Sequence, residues 1–233
     1  MVGKVNISSL FPFLNMKNKP EFLKNFNKTY YTTDAYDDYL ERFEKQGLDY
    51  AERLEKILKP KKFWKFLDVG CGMGGIVLAL RKLGYEALGT EVSSFCLKNS
   101  PAKKWIKFGN ICSLPFTNKF FEVVITIDAL CYLNKKELKK AIKELSRITR
   151  RFLYVETICK DSPNANQKLN PDPLRKRGVL LTEKELISIF EKENFQLLGK
   201  LFKPEEKLIL NPNEKIDFNY VFKKIRAGVL PAQ

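Results

Sequence analysis

Apolar positions along this chain fall into two periods, and between residues 62 and 157 the pattern keeps switching from one to the other. Phe63 to Val69 is a short apolar run that reads as a buried parallel strand, and Ile76, Val77 and Leu80 follow it with helical spacing. Tyr85 to Glu91 reads as a second short strand, Phe120 to Ile127 as a longer one, and Phe152 to Thr157 as another. Between the last two, Asn134 and Glu137 form a capping-box-like helix start. Leu138, Ala141, Ile142 and Leu145 make its buried stripe, while Lys135, Lys136, Lys139, Lys140 and Lys143 form an outer face that reads by default as solvated.

The flanks are less regular. Residues 1 to about 33 carry scattered aromatics with little periodicity. From Thr33 the pattern turns helical: Tyr36, Leu40 and Phe43 share a face, Gly47 interrupts it, Leu48, Ala51, Leu54 and Leu58 continue it, and Pro60 closes it. Ile158 to Leu181 is a polar stretch with three prolines and the run Arg175-Lys176-Arg177. A loop of that length is commonly functional, and it is expected to be a substrate lid. Thr182 with Glu185 then caps a helix running to Glu193, with Asn194 suited to its C-terminus. Phe195 to Phe202 and Ile216 to Lys223 read as an antiparallel edge pair.

The chemistry starts at Asp68-Val69-Gly70-Cys71-Gly72-Met73-Gly74-Gly75. Gly70, Gly72 and Gly75 satisfy G-x-G-x-x-G between a strand and a helix, which suits any nucleotide-binding βαβ unit. In a dinucleotide site the helix N-terminus receives a pyrophosphate, so a carboxylate at the strand end sets like charge against like. Asp68 stands there. S-adenosylmethionine has no phosphate and carries an ammonium and a sulfonium, for which a carboxylate is favourable. Glu91 ends the second strand 19 residues beyond Gly72, the interval at which a ribose-binding acid is expected.

These segments resemble motif I and the following acidic motif of the class I S-adenosylmethionine-dependent methyltransferases, in a type 11-like domain. Two further blocks are similar. Lys107 to Phe116 resembles the family's G-D-x-x-x-L-P-F block, in which an acid or amide contacts the adenine amino group; Asn110 replaces the usual Asp and keeps a side-chain oxygen for that contact. Phe120 to Leu133 resembles the fourth-strand motif. The resemblance is close over about residues 62 to 157 and loose beyond.

It implies a three-layer α/β/α sandwich around a Rossmann-like, seven-stranded, mostly parallel sheet whose last strand is antiparallel, with S-adenosyl-L-methionine as cofactor. Cofactor contacts are implied at Asp68, Gly70, Cys71, Gly72, Gly74, Glu91, Val92, Asn110, Ile111, Asp128 and Ala129. Residues 1–60 would form a helical cap and lead-in, 61–225 the methyltransferase domain with 158–181 as substrate loop, and 226–233 a disordered tail. Helices that precede the domain often overlie the cofactor pocket in this family, which makes Tyr30, Tyr31 and Tyr36 candidates to touch ligand. Where the family has a Glu-His pair after the fourth strand, this chain has Cys131-Tyr132, and Ser146 to Arg151 stands in place of the Pro-Gly-Gly turn. With no histidine anywhere, an imidazole base is excluded. A general base would have to come from groups such as Asp128, Tyr132 or Glu156 at the strand ends, none of which is assigned a catalytic role.

Composition narrows the acceptor only slightly. The formal net charge of +15 invites a nucleic-acid reading. The basic residues, however, are 33 Lys and 9 Arg beside 16 Asn, an AT-rich coding pattern poor in the residue that bidentate phosphate recognition favours. A small-molecule acceptor is expected, with RNA or protein, or a catalytically silent S-adenosylmethionine-binding partner protein, as alternatives. Nothing resembles the N-P-P-Y motif of amino-methyltransferases, which argues against base-amine methylation. Cys71, Cys112, Cys131 and Cys159 each follow a strand, but no C-x-x-C pair occurs and neither disulfides nor a metal site is indicated. No run is long enough to span a bilayer, so the expectation is a soluble cytoplasmic protein without a membrane partner.

Overall fold

The structure is a computed structural model that describes residues 21–33, 36, 38–161, 172–201, 208–209 and 219–225. The N-terminal twenty residues, the middle of the expected lid, Phe202, 216–218 and the expected tail lie outside the described residues.

Five strands run parallel: β1 (Lys65–Val69), β2 (Glu86–Glu91), β3 (Ile106–Phe108), β4 (Phe121–Ile127) and β5 (Thr149–Glu156). β6 (Phe195–Leu201) and β8 (Asn219–Lys224) complete the edge, β8 lying antiparallel between β5 and β6. The seven-stranded Rossmann-like sheet is therefore present. A two-residue strand, β7 (Leu208–Ile209), extends it beside β6, and the spatial order is β3-β2-β1-β4-β5-β8-β6-β7. β1 pairs with β2 on one side and β4 on the other, so the strand order reverses there and a crevice opens beyond the C-terminal ends of those strands.

The pleat sorts the apolar residues into two cores. Phe66, Val123, Ile125, Tyr154 and Val221 point to one face, where they meet Ala51 and Leu54 of helix α1 (Tyr39–Leu58) and Ile76, Val77 and Leu80 of α2 (Gly75–Lys82). Their neighbours Leu67, Val124, Leu153, Val155, Tyr220 and Phe222 point to the other face. There they pack on Leu138, Ala141, Ile142 and Leu145 of α4 (Lys135–Ile148) and on Leu186 and Phe190 of α5 (Glu183–Lys192). A short α3 (Ser94–Asn99) follows β2. Burial on both faces is why these strands read as continuous apolar runs rather than alternating ones.

Both expected capping boxes form. Asn134 accepts from the Glu137 N–H and Thr182 from the Glu185 N–H, and each Glu carboxylate accepts in return from its cap residue's N–H. Asn194 takes a left-handed φ of 63° just past α5, the role its position suggested.

Three expectations about element bounds are corrected. Phe63 is 70% exposed and precedes β1, which starts at Lys65. The first helix starts at Tyr39 rather than Thr33. Gly47 does not interrupt α1, which runs unbroken to Leu58. A glycine is needed there because a Cβ would lie 2.1 Å from the Gly75 carbonyl carbon, where α1 crosses the start of α2.

Candidate active site

The turn between β1 and α2 is built from backbone constraints. Gly70, Gly72 and Gly74 take φ of 77°, 53° and 77°, and the Gly70 and Cys71 N–H groups both donate to the Thr90 carbonyl of β2. Gly74 is the N-cap of α2. Glu91, at the end of β2, braces the turn from the side: its carboxylate accepts from the N–H groups of Gly72 (2.7 Å), Val92 (2.6 Å) and Ser93 (2.7 Å). Asp68 lies beside it, 4% exposed and without a hydrogen-bond partner among the described residues. Burial, reinforced by the neighbouring Glu91, pushes its carboxyl up to about 8.

A cavity of about 350 Å³ opens from this turn, at the low end of the range for ligand pockets. Its floor holds Asp68, Gly70, Cys71, Gly72, Glu91, Val92, Asn110, Ile111, Asp128 and Ala129, so the strand ends bring these expected cofactor residues together. Gly74 is not among its walls: it is buried, and a Cβ there would face Ala102 and Ile106. Asn110 accepts from the Cys112 N–H at 2.9 Å through Oδ1, an sp² oxygen that keeps a second accepting site. The block that follows is clamped by Arg147, which donates to the Leu114 and Phe116 carbonyls and pairs with Glu144, while Glu144 accepts from the Leu114 N–H.

The roof comes from the N-terminal segment. Tyr30, Tyr31 and Tyr36 line the cavity as anticipated, together with Phe22, Phe26, Tyr39 and Tyr50. The Tyr39 hydroxyl accepts from the Met73 N–H at 2.9 Å and lies over Gly72. Tyr50 donates to Glu156 at 2.7 Å.

Of the three candidate bases, Asp128 and Glu156 line the cavity at adjoining strand ends, with the Asp128 N–H donating to the Glu156 carbonyl. Asp128 sits at φ 52°, a left-handed conformation that Asp tolerates better than most residues. Its carboxylate pairs with Arg175 at 3.3 Å. Tyr132 is buried, and burial followed by the neighbouring Cys131 pushes its hydroxyl far up from its ordinary value, so it is poorly suited to ionise.

Arg175, Asp172, Tyr39 and Tyr50 were not singled out by the sequence. The first two are carried by the expected lid, whose described C-terminal part, 172–181, forms a 3-10 turn at Pro173–Arg177 packed on the Leu130–Tyr132 turn. The run Arg175-Lys176-Arg177 was the available signal. Of the four strand-following cysteines, Cys71 and Cys112 reach the cavity, while Cys131 donates to the Asp128 carbonyl and Cys159 contacts the Tyr220 hydroxyl. Among the described residues no group of three His, Cys, Asp or Glu side chains is placed to hold a metal ion.

A doubly wound sheet with an acid-bearing glycine turn at its switch point defines a Rossmann-like domain for a cationic nucleoside cofactor, and the buried Asp68–Glu91 pair fits S-adenosylmethionine. Residues 67–152 match the family described as "Methyltransferase domain". That match covers a little over a third of the chain, and the fold around it is shared with solved S-adenosylmethionine-dependent methyltransferases. Among curated proteins it is 26% identical over 149 residues to "Squalene methyltransferase 1" of Botryococcus braunii, covering 53% of this chain and 39% of that one. The chain thus spans about two fifths of that relative's length. A solved S-adenosylmethionine-dependent methyltransferase of Archaeoglobus fulgidus superposes with a TM-score of 0.59 at 17% identity, over 82% of this chain and 100% of that chain. Magnesium protoporphyrin IX methyltransferase from Synechocystis, solved with bound S-adenosylhomocysteine, superposes with a TM-score of 0.58 at 14% identity, over 78% and 84%. No helix among the described residues is long and apolar enough to cross a membrane.

Proposed function

We propose that the protein transfers a methyl group from S-adenosylmethionine to a small-molecule acceptor. The observation that carries this reading is Asp68. A buried carboxyl, raised to about 8 and without a hydrogen-bond partner among the described residues, faces a cavity at a glycine turn. A cationic ligand group relieves that unfavourable state. In this reading Asp68 and Asp128 receive the amino-acid end of the cofactor, Glu91 the ribose and Asn110 the adenine.

Bound S-adenosylmethionine supplies a methyl group activated by its sulfonium. The chain supplies position and exclusion of water: Phe22, Phe26, Tyr30, Tyr31 and Tyr39 roof the cavity with ring surface. If the acceptor loses a proton, Asp128 and Glu156 are the carboxylates within the cavity that can take it. A small acceptor is favoured because the roof comes down on the glycine turn itself, where the Tyr39 hydroxyl meets the Met73 N–H.

Calorimetry with S-adenosylmethionine tests the core of the proposal. Binding that Asp68→Asn weakens at least about tenfold is expected, since hydrogen bonds to a charged group contribute about 1.5–3 kcal/mol. No binding by the parent would sink it. Labelled methyl transfer to metabolite, protein and RNA fractions then separates acceptor classes, and ribonuclease-sensitive label would replace the small molecule with RNA.

A further inference from the structure

Beside the cofactor turn lies a polar knot that methyl donation does not explain. The Tyr132 hydroxyl sits 2.6 Å from Asp172 Oδ2, 2.7 Å from the Tyr30 hydroxyl, 2.9 Å from the Tyr36 hydroxyl and 3.3 Å from Arg175 Nε. Tyr30 also donates to Asp172 (2.9 Å), and Arg175 reaches Tyr36 and Asp128, both at 3.3 Å. Three hydroxyl protons serve four contacts: Tyr132 and Tyr30 both donate to Asp172 and Tyr36 donates to Tyr132, so the close approach of Tyr30 to Tyr132 follows from their shared acceptor, while Arg175 lies between the carboxylates of Asp172 and Asp128. Asp172 is 2% exposed and Arg175 8%, whereas the Asp128 side chain is 40% exposed.

The members come from three remote parts of the chain: the N-terminal roof, the turn after β4, and the segment after β5. That last segment is seated on the β4 turn independently of the knot. The Val179 N–H donates to the Leu133 carbonyl at 2.9 Å, and Gly178 lies so close to the Cys131 carbonyl that a Cβ would come within 1.8 Å of it. The roof has no comparable backbone bond to either segment among the described residues. Its bonds to them pass through the Tyr30 and Tyr36 hydroxyls.

We propose that Tyr132 is a positioning residue: its hydroxyl latches the N-terminal roof to the 172–178 segment, and by gripping Arg175 it sets the Asp128 carboxylate at the cavity. The consequence is a coupling. The roof closes over the cofactor turn in the same arrangement that fixes Arg175 against Asp128. Release of the latch would open the cavity to ligand, because Phe22, Phe26 and Tyr30 of the latched segment form part of its wall. The inference rests on the methyltransferase reading only for the identity of the ligand.

The test uses the full chain, its Tyr132→Phe variant, and Tyr220→Phe as a control that removes a buried hydroxyl bonded to Cys159 outside the cavity walls. Hydrogen exchange needs no ligand. Tyr132→Phe should raise exchange about tenfold in peptides covering 22–33, with β1 and β2 still protected, because one centre of a hydrogen-bond network is lost. Tyr220→Phe should leave that segment unchanged. Stopped-flow binding of S-adenosylhomocysteine reads the coupling: association should quicken because the roof is released, and dissociation should quicken by a larger factor, raising the Kd, because Arg175 no longer fixes Asp128.

Unchanged exchange in 22–33 would overturn the latch whether or not the cofactor binds. Faster dissociation with unchanged association would also overturn it, since the hydroxyl would then be a ligand contact. If Tyr132→Phe does not fold, the Tyr30→Phe, Tyr36→Phe double variant removes the roof's half of the latch and carries the same expectations. Failure of the parent to bind S-adenosylhomocysteine would count against the cofactor reading, and the exchange result would still decide the latch.

Discussion

Replacing Gly47 by alanine sets two effects of opposite sign against each other. Gly47 lies well inside α1, where glycine is worse than alanine by about 1 kcal/mol, so helix propensity alone predicts a more stable protein. Packing predicts the reverse. An added Cβ would lie 2.1 Å from the Gly75 carbonyl carbon and 2.4 Å from its oxygen, against the roughly 3.5–4.0 Å at which carbon atoms rest. The obstacle is backbone at the first residue of α2, so no side-chain rotation relieves it. α1 has to lift, and Ala51 and Leu54, both fully buried on the same core face, lose contact with α2 and the sheet. Overpacking of this kind costs about 1–3 kcal/mol, and loosening two core residues adds to it, so a net loss of about 1–3 kcal/mol remains after the propensity gain. At about 2–4 °C per kcal/mol for a chain of this size, the thermal midpoint should fall by about 2–12 °C. Gly75 also lines the cavity, so S-adenosylhomocysteine affinity should fall with it. Thermal unfolding followed by circular dichroism reads the first effect, with Lys45→Ala at an exposed position of the same helix as the propensity control. A Gly47→Ala midpoint equal to or above the parent's would refute the close crossing of α1 over the cofactor turn.

The Asp68 carboxyl, raised to about 8, is mostly protonated at pH 7. Because its folded value lies above the unfolded one, near 3.9, the free protein should lose stability as pH rises from about 4 through about 8. A cationic ligand that ionises Asp68 should then expel about 0.9 proton at pH 7 and almost none above about pH 10. Calorimetry of S-adenosylmethionine binding in buffers of different ionisation enthalpy measures this, and a buffer-independent enthalpy at pH 7 would contradict it. Arg147→Ala should cost about 2–3 kcal/mol, because the guanidinium donates to two loop carbonyls and pairs with Glu144. Arg147→Lys should not restore the loss, since an ammonium cannot span that fork; full rescue of the thermal midpoint by lysine would show that charge alone mattered.

What the sequence determined by itself lies within short spans of chain. The two capping boxes, the glycine turn with Asp68 at its strand end, Glu91 and the stripe of α4 are each set by residues a few positions apart, so local periodicity and hydrogen-bonding chemistry suffice to place them. The acid-bearing turn pointed to a cationic cofactor, and the tertiary structure added that burial beside Glu91 makes the Asp68 carboxylate costly without a positive partner. The tertiary structure alone decided the rest. Gly47 looked like a break in a helix, because its purpose, the crossing with Gly75, lies 28 residues away. Tyr132 looked like a departure from a family pattern. Its meaning appears only when Tyr30, some hundred residues before it, and Asp172, forty after it, converge on its hydroxyl. Contacts between remote segments leave no periodic trace along the chain, since each partner is free to vary its neighbours as long as the meeting point in space is kept.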